Sequence, residues 1–320
     1  MDSAFALLKR AVRGGLTVVA TFTVSFLVLA FVENPNAGRM ERYAPRTVPN
    51  NTEPRLAAQS EPLLSQYVDW AIRVFTLDLG SAGGTEFSAL IAESVAVTLL
   101  YLLPAAVVAV AAGTLVQLLS VAAERRDLTK KTTLLGAVAI AIPVFLIAVL
   151  FNDFLPEFVY QQTGSFPDIG YDPGSGPFST RNLRAMVWPF MTMAFFLFAI
   201  QFRAAGTDLK QYAGEPFVKT ARAKGVGLLG ICRHVFPHSA ARLLTLLSSE
   251  VFGLVLVGLY AVEWVTFTPG FGALTIDAIG TRHPGLVFGV ILLPVVVVVT
   301  VNFLQDAYYT LIDPRTATNA

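Results

Sequence analysis

Few side chains in this sequence are placed to do chemistry. Cys232, His234 and His238 could each ligate a metal. Pro237 interrupts any helix between the two histidines, and no carboxylate clusters beside them, so the group reads as packing and no metal site is expected. Glu250 is a carboxylate inside an otherwise charge-free apolar run, Leu243–Val262. Such a residue costs about 2.5–3.5 kcal/mol at the centre of a membrane helix on insertion scales, so it faces a polar translocation path or makes a structural bond to another helix. A third group is basic: Lys219, Arg222 and Lys224 alternate with Phe217, Val218, Ala221 and Ala223. That pattern suits a short amphipathic helix docking on another protein, and equally an ordinary basic inner loop. Neither a phosphate-cradling GxxxxGK[ST] loop nor a GxSxG nucleophile turn is present, so no nucleotide or hydrolase chemistry is expected in this chain.

The elements that must position these groups follow from composition. The chain has 320 residues, of which 54% are hydrophobic and only 14% charged, with a formal charge of +1. Soluble domains carry about 25% charged residues, so this surface is too poor in charge to be wetted. Disorder is excluded by the apolar content. Nucleic-acid binding is disfavoured, because no net positive field exists to neutralise phosphates. The single cysteine excludes an internal disulfide framework. An integral membrane protein remains.

A spanning helix needs about 20 apolar residues. Stretches lacking Asp, Glu, Lys and Arg run over Gly14–Val32, Ser94–Ala123, Thr132–Asn152, Ala185–Phe202 and His283–Gln305, and Leu243–Val262 is broken only by Glu250. They predict an all-α polytopic membrane protein with six transmembrane helices. Continuous apolar blocks argue against a β-barrel. The first block is longer than a signal-peptide core and lacks a small-x-small cleavage site after it, so it reads as an uncleaved first helix. The segment before the first block and those at 124–131, 203–242 and the tail together hold 15 of the 23 Lys and Arg, which puts the N- and C-termini on the cytoplasmic side. Pro104, Pro143, Pro189 and Pro294 lie within spans, as kinks that are either static or used in motion.

The outer segments differ in character. Residues 36–93 form an outer loop whose Leu63–Phe75 stretch puts Leu64, Tyr67, Val68, Ala71, Ile72 and Phe75 on one face, an interfacial or gate-covering helix. Residues 163–180 are rich in turn-forming Gly and Pro and form a second outer loop. Asn50-Asn51-Thr52 matches a glycosylation sequon that chance explains in an Asn-rich loop. The chain therefore divides into residues 1–35, a tail and first transmembrane helix; 36–93, the outer loop; and 94–320, a core of five transmembrane helices. An inner loop at 213–238 belongs to that core. In it Glu215-Pro216 opens a short helix, Gly225 permits a turn with positive φ, and Leu228–Phe236 resumes helical spacing.

At this loop a resemblance enters. Lys219-Thr220-Ala221-Arg222-Ala223-Lys224-Gly225 resembles the EAA loop of ABC importer permeases, in the version found in the first permease subunit of dipeptide/oligopeptide/nickel transporters. The likeness extends to Gln66-Tyr67 and Asp78-Leu79-Gly80-Ser81, and to Glu263 with Pro269-Gly270-Phe271-Gly272, Asp277-Ala278-Ile279 and His283-Pro284. It continues through Asn302, Asp306, Tyr308 and Asp313-Pro314-Arg315. The resemblance implies a type I importer permease fold and an ATPase-coupling role for Glu215, Phe217, Lys219, Thr220, Ala221, Arg222, Ala223, Lys224 and Gly225. Ala221 and Ala223 would allow close approach, with Phe217 or Val218 as the anchor. It also implies that Glu250 lines the translocation path, and that Glu263, Pro269, Gly270, Gly272 and Asp277 form the outer gate and loop.

The implied partners are a second homologous permease, two ABC ATPase subunits that bind the ATP and Mg, an extracytoplasmic solute-binding protein and the lipid bilayer of the cell membrane. The cargo would be a di- or oligopeptide, a nickel chelate or a sugar oligomer. The competing class is a self-sufficient secondary transporter or channel without an ATPase, which would show an internal repeat and more than one buried charge. Neither is found in the sequence.

Overall fold

The computed structural model describes residues 2–34, 55–122, 126–166, 170–213, 215–237 and 250–312. The described residues are mostly helical. They comprise α1 (Asp2–Phe31), α2 (Leu63–Phe75), α3 (Phe87–Ala122), α4 (Arg126–Ala141), α5 (Val144–Val149), α6 (Leu155–Thr163), α7 (Thr180–Ala185), α8 (Val187–Ala213) and α9 (Pro216–Ala223). These are followed by α10 (residues 228–237), α11 (Glu250–Val265), α12 (Phe271–Thr281) and α13 (Pro284–Ile312). Among the described residues, five stretches are long and apolar enough to cross a membrane: Leu7–Phe31, Phe87–Ser120, Val144–Thr163, Thr180–Thr207 and Pro284–Ala307. The sixth expected span is described only from Glu250 onward, as the apolar helix α11. The protein is a polytopic all-α membrane protein. The Asn50–Thr52 sequon and the Asp313-Pro314-Arg315 ending lie outside the described residues.

The prolines separate by position. The block expected to span Thr132–Asn152 is broken at Ile142-Pro143, and the spanning stretch begins at Val144 instead. Proline has no N–H to continue the ladder and drives the preceding residue out of the α region; Pro143 takes an extended ψ of 136°. A π-helical turn, Leu150–Phe154, then joins α5 to α6. Pro104 and Pro294 stay inside α3 and α13. Pro189 sits in the first turn of α8, where its missing N–H has no partner to lose.

The chain forms two compact units, residues 1–96 with 273–320, and residues 97–272. In the first, α1 packs along α13, tied at one end by Arg10 to Asp306 at 2.9 Å. The core there is aromatic: the Phe22 ring lies 5.1 Å from Phe288 and 5.3 Å from Tyr67. Between α2 and α3 runs a two-strand hairpin, β1 (Ser81–Ala82) with β2 (Thr85–Glu86), which the sequence reading missed. Its turn, Gly83-Gly84, has φ of 59° and 83°, a pair of positive values that glycine alone adopts freely and that matches strand twist. Just before it, Leu79 is buried and its backbone lies against the start of α13. In the second unit, α4, α5 and α11 all pack against α8.

Close approach of Leu79 to α13 depends on Gly285, because a methyl group there would overlap the Leu79 carbonyl oxygen. Gly280, in α12, faces open space. Gly285→Ala is expected to destabilise by about 1–3 kcal/mol, the usual scale of overpacking against an unyielding neighbour. Gly280→Ala is expected to be neutral or to stabilise by about 0.5–1 kcal/mol through helix propensity. Thermal unfolding of the two variants in detergent checks this, with a lowered midpoint for Gly285→Ala alone.

Candidate functional site

Two constellations stand out, and both lie within the second unit. The first is built around α9. Glu215 precedes the helix in extended conformation and its carbonyl accepts from Val218 and Lys219 N–H at 3.1 Å each. Pro216 occupies the first turn, where a missing donor costs nothing. The helix ends because Gly225 adopts φ 74°. Gly225 N–H then donates to Arg222 O at 2.9 Å, and Val226 N–H to Ala221 O at 3.1 Å. This is a Schellman-type stop, which requires a left-handed residue where Gly225 stands. No atom outside its neighbours lies within 4 Å of a Cβ built on Gly225, so its need for glycine is one of backbone conformation and not of space.

Only one face of α9 is seated. Val218 is buried with Leu118 and Ala122 of α3, Ala205 and Leu209 of α8, and Ile231, Cys232 and Val235 of α10, and Ala221 is also buried. Phe217, Lys219, Thr220, Ala223 and Lys224 face outward with Glu215, and Arg222 is half-buried. Of the residues expected as anchor or as points of close approach, Val218 and Ala221 are buried, and Phe217 and Ala223 are exposed. Helical spacing turns Val218 and Ala221 toward the bundle, leaving Phe217 and Ala223 to the outside. Cys232 and His234, two residues apart on α10, point to opposite sides: Cys232 is buried near Leu118 O, and His234 is exposed. Burial pushes the Cys232 thiol up. His238 lies outside the described residues.

Beside this seat α3 and α8 make a buried polar seam that the sequence reading did not single out. Gln201 Nε2 donates to Thr114 Oγ1 at 2.9 Å. Gln117 is 1% exposed and packs on Gly206, whose absent side chain makes room for its amide. Gly113 similarly admits the backbone of Phe202. Small residues facing polar ones are how membrane helices approach closely. The clue in the sequence was Gln117 and Gln201 inside apolar runs.

The second constellation centres on Glu263, fully buried at the end of α11. Thr98 Oγ1 and Tyr101 OH, one turn apart on α3, donate to its Oε1 at 2.6 and 2.7 Å. Gly272 N–H donates to Oε2 at 2.7 Å. Thr98 Oγ1 in turn accepts from Phe271 N–H at 2.8 Å. The first N–H groups of α12, which have no partner within their own helix, are thus capped from outside it by Thr98 and Glu263. The intervening turn crosses Phe267 with φ 53° and is closed by Thr268 N–H to Glu263 O at 3.0 Å and by a Thr266–Thr268 hydroxyl pair at 2.8 Å. A side chain at Gly270 would overlap the Glu263 carboxylate, and one at Gly272 would come within 2.9 Å of Tyr260 Cα.

The structure so brings together Glu263, Gly270 and Gly272 of the expected outer-gate residues, and adds Thr98 and Tyr101. Pro269 is exposed in the turn, and Asp277 is half-buried further along α12. The side chain of Glu250, the first residue of α11, lies outside the described residues.

The outer loop at 170–182 is firmly built. Buried Asn182 donates through Nδ2 to Asp172 O at 2.8 Å and Gly176 O at 2.7 Å, and accepts from Asp172 N–H at 2.7 Å. The Ser175 hydroxyl and Gly174 N–H hold the Asp172 carboxyl below the usual aspartate value.

Comparison with known proteins adds the following. The sequence pattern of the family described as "Binding-protein-dependent transport system inner membrane component" matches residues 120–318, which include α9, its turn and Glu263. A protein of Brucella abortus (strain 2308) named as a peptide transport system permease is 29% identical over 262 residues, covering 80% of each chain. One of Sinorhizobium fredii (strain NBRC 101917 / NGR234), named as a peptide ABC transporter permease, is 26% identical over 80% of this chain and 81% of its own. The dipeptide transport system permease protein of Escherichia coli (strain K12) is 29% identical over 131 residues, covering 41% of this chain and 38% of its own.

Three donors converge on the Glu263 carboxylate, so replacing one oxygen by NH2 sets a donor against a donor. Glu263→Gln is expected to cost about 1–3 kcal/mol, the scale of a buried donor left without an acceptor. Tyr101→Phe removes one donor and leaves the carboxylate its others, and is expected to cost about 1 kcal/mol. Thermal midpoints followed by tryptophan fluorescence check the order, with Glu263→Gln lowest.

Proposed function

The chain belongs to the family of binding-protein-dependent transport system inner membrane components, and from that premise we propose that it forms one half of the transmembrane pathway of an ATP-driven peptide importer. A second, homologous permease supplies the other half. Two ABC ATPase subunits bind ATP and Mg on the cytoplasmic side, where both termini of this chain lie, and a solute-binding protein delivers cargo from outside to residues 33–93 and 153–184. The chain itself carries out no hydrolysis. A di- or oligopeptide as cargo is supported by the names of the relatives from Brucella abortus and Escherichia coli.

The observation that carries this reading is the seating of α9. A helix of eight residues is too short to hold itself in water. This one is fixed by Val218 to the ends of α3 and α8, and presents Phe217, Lys219, Thr220, Ala223 and Lys224 outward. Such a helix receives a push from a partner on its outer face and passes it through its inner face to two spanning helices. Closure of the ATPase pair on α9 thereby drives alternating access, with Glu250 along the path and the Glu263 turn as the outer gate. Phe217 is the apolar anchor, and Lys219 and Lys224 meet acidic groups on the rim of the ATPase groove.

Purification of the tagged chain from its native membrane in mild detergent tests the assembly. Two ATPase chains, a second permease and a binding protein are expected to accompany it. A chain that purifies alone or as a homo-oligomer in every detergent would overturn the reading in favour of a secondary transporter.

Gly225→Val tests the coupling itself. A β-branched residue at left-handed φ costs on the order of 1–2 kcal/mol, enough to shift the docked geometry of α9 about tenfold. Membrane insertion is expected to persist while ATP hydrolysis no longer drives uptake; normal uptake by this variant would sink the coupling role.

A further inference from the structure

One face of α3 is buried all the way from the Glu263 turn to the seat of α9. Thr98, Tyr101, Ala105, Ala109, Gly113 and Gln117, spaced three and then four residues apart, all lie inward. Among the residues between them, Leu103, Pro104, Val107 and Val108 are exposed. The helix continues through Pro104, and Tyr101 and Ala105, on either side of it in sequence, are 1% and 0% exposed. Midway along, Ala109 clusters with Leu197 of α8, and Val255 of α11 packs against them. One turn further, Gly113 admits the Phe202 backbone, and Gln117 fills the room left by Gly206. The helix is thus held along its length as a single rod.

The two ends of this rod hold different things. At one end Leu118 and Ala122 share a buried cluster with Val218 of α9. At the other, Thr98 and Tyr101 donate to Glu263 Oε1, and Thr98 also accepts from the Phe271 N–H. About 30 Å of helix separates Thr98 from Leu118, the thickness of a bilayer's hydrocarbon core. Hydrogen bonds are short and directional, and hydrocarbon supplies no substitute for one that breaks. A shift of α3 that left the turn behind would strand a buried carboxylate and the first N–H of α12 together. The turn between α11 and α12 therefore follows α3.

We propose that Thr98 and Tyr101 are positioning residues of the outer gate, through which α3 carries the movement of α9 to the Glu263 turn. The inference rests on the coupling role proposed above for α9 and on the gate role of the turn, and it names the route between them. A competing route runs through Glu263's own helix, because α11 also packs against α8. If α11 carried the movement, the two hydroxyls on α3 would be dispensable for it.

The test uses the whole purified assembly in nanodiscs, with Cys232→Ala to remove the native thiol of this chain. Phe267→Cys, in the exposed part of the turn, reports the turn's position through its rate of labelling by a membrane-impermeant maleimide, read on this chain alone. Rates are compared without nucleotide and with ATP, Mg and vanadate. A several-fold difference is expected with Thr98 in place and none in Thr98→Val, while ATP hydrolysis persists in both. Thr98→Ser, which keeps the hydroxyl, is expected to restore the difference, and Tyr101→Phe to lower it in part. Should Thr98→Val fail to assemble, Tyr101→Phe decides by the same reading. An undiminished difference in these variants overturns the inference and assigns the route to α11. Loss in Thr98→Ser as complete as in Thr98→Val also overturns it, since packing and not the hydroxyl would then be responsible. No nucleotide response in the parent assembly would instead overturn the coupling role of α9, and the inference with it.

Discussion

Hydrocarbon offers no hydrogen bonds, and that single constraint governs where this chain is permitted to stop being a helix. Continuous helices such as α1, α3 and α13 satisfy their own backbone, so they tolerate full exposure to lipid along one side. Every interruption has to be answered from elsewhere. The turn between α11 and α12 is answered by Glu263 and Thr98, which take up the first N–H groups of α12. Thr98 serves both sides of the problem, donating to the carboxylate and accepting from the backbone. A carboxylate suits the position because it accepts from three donors at once and lies at the positive end of a helix dipole.

The same rule shapes the opposite kind of site at α9. There the chain leaves the hydrocarbon and water can satisfy an open turn, so the stop after Ala223 is made by local chemistry alone, a left-handed glycine closing on Arg222 and Ala221. Stability comes instead from burying Val218 in a cluster drawn from α3, α8 and α10. Rigid attachment on one face and exposure on the other is what a mechanical relay needs. The adjoining seam of Thr114, Gln117 and Gln201, closed by Gly113 and Gly206, joins the two spanning helices that such a relay would move.

Several features were legible from residue types because they depend on composition or on local spacing. The apolar blocks, the short helix after Glu215-Pro216 and the glycine stop at Gly225 all belong to this class. The prolines show the limit. All four lie in apolar blocks and look alike in sequence, yet Pro143 breaks its block, Pro189 falls in a first turn, and Pro104 and Pro294 are carried inside long helices. Whether neighbouring groups can satisfy a freed carbonyl is a property of packing, and spacing does not report it.

Sequence alone determined that the chain lives in a membrane, because charge content and run length are set by the solvent that a side chain must meet. It also determined where a short amphipathic helix had to turn, since only glycine takes positive φ without strain. Tertiary structure decided which face of each amphipathic helix is the inner one. Helical spacing groups Leu64, Tyr67 and Ile72 on α2, but contact with α1 splits them, and spacing alone does not say that Val218 and Ala221 sit inward on α9 while Phe217 and Ala223 sit outward. Tertiary structure also decided the partners of Glu263, because Thr98 and Tyr101 stand more than 160 residues away in sequence, and no local pattern encodes a contact made by two helices packing side by side.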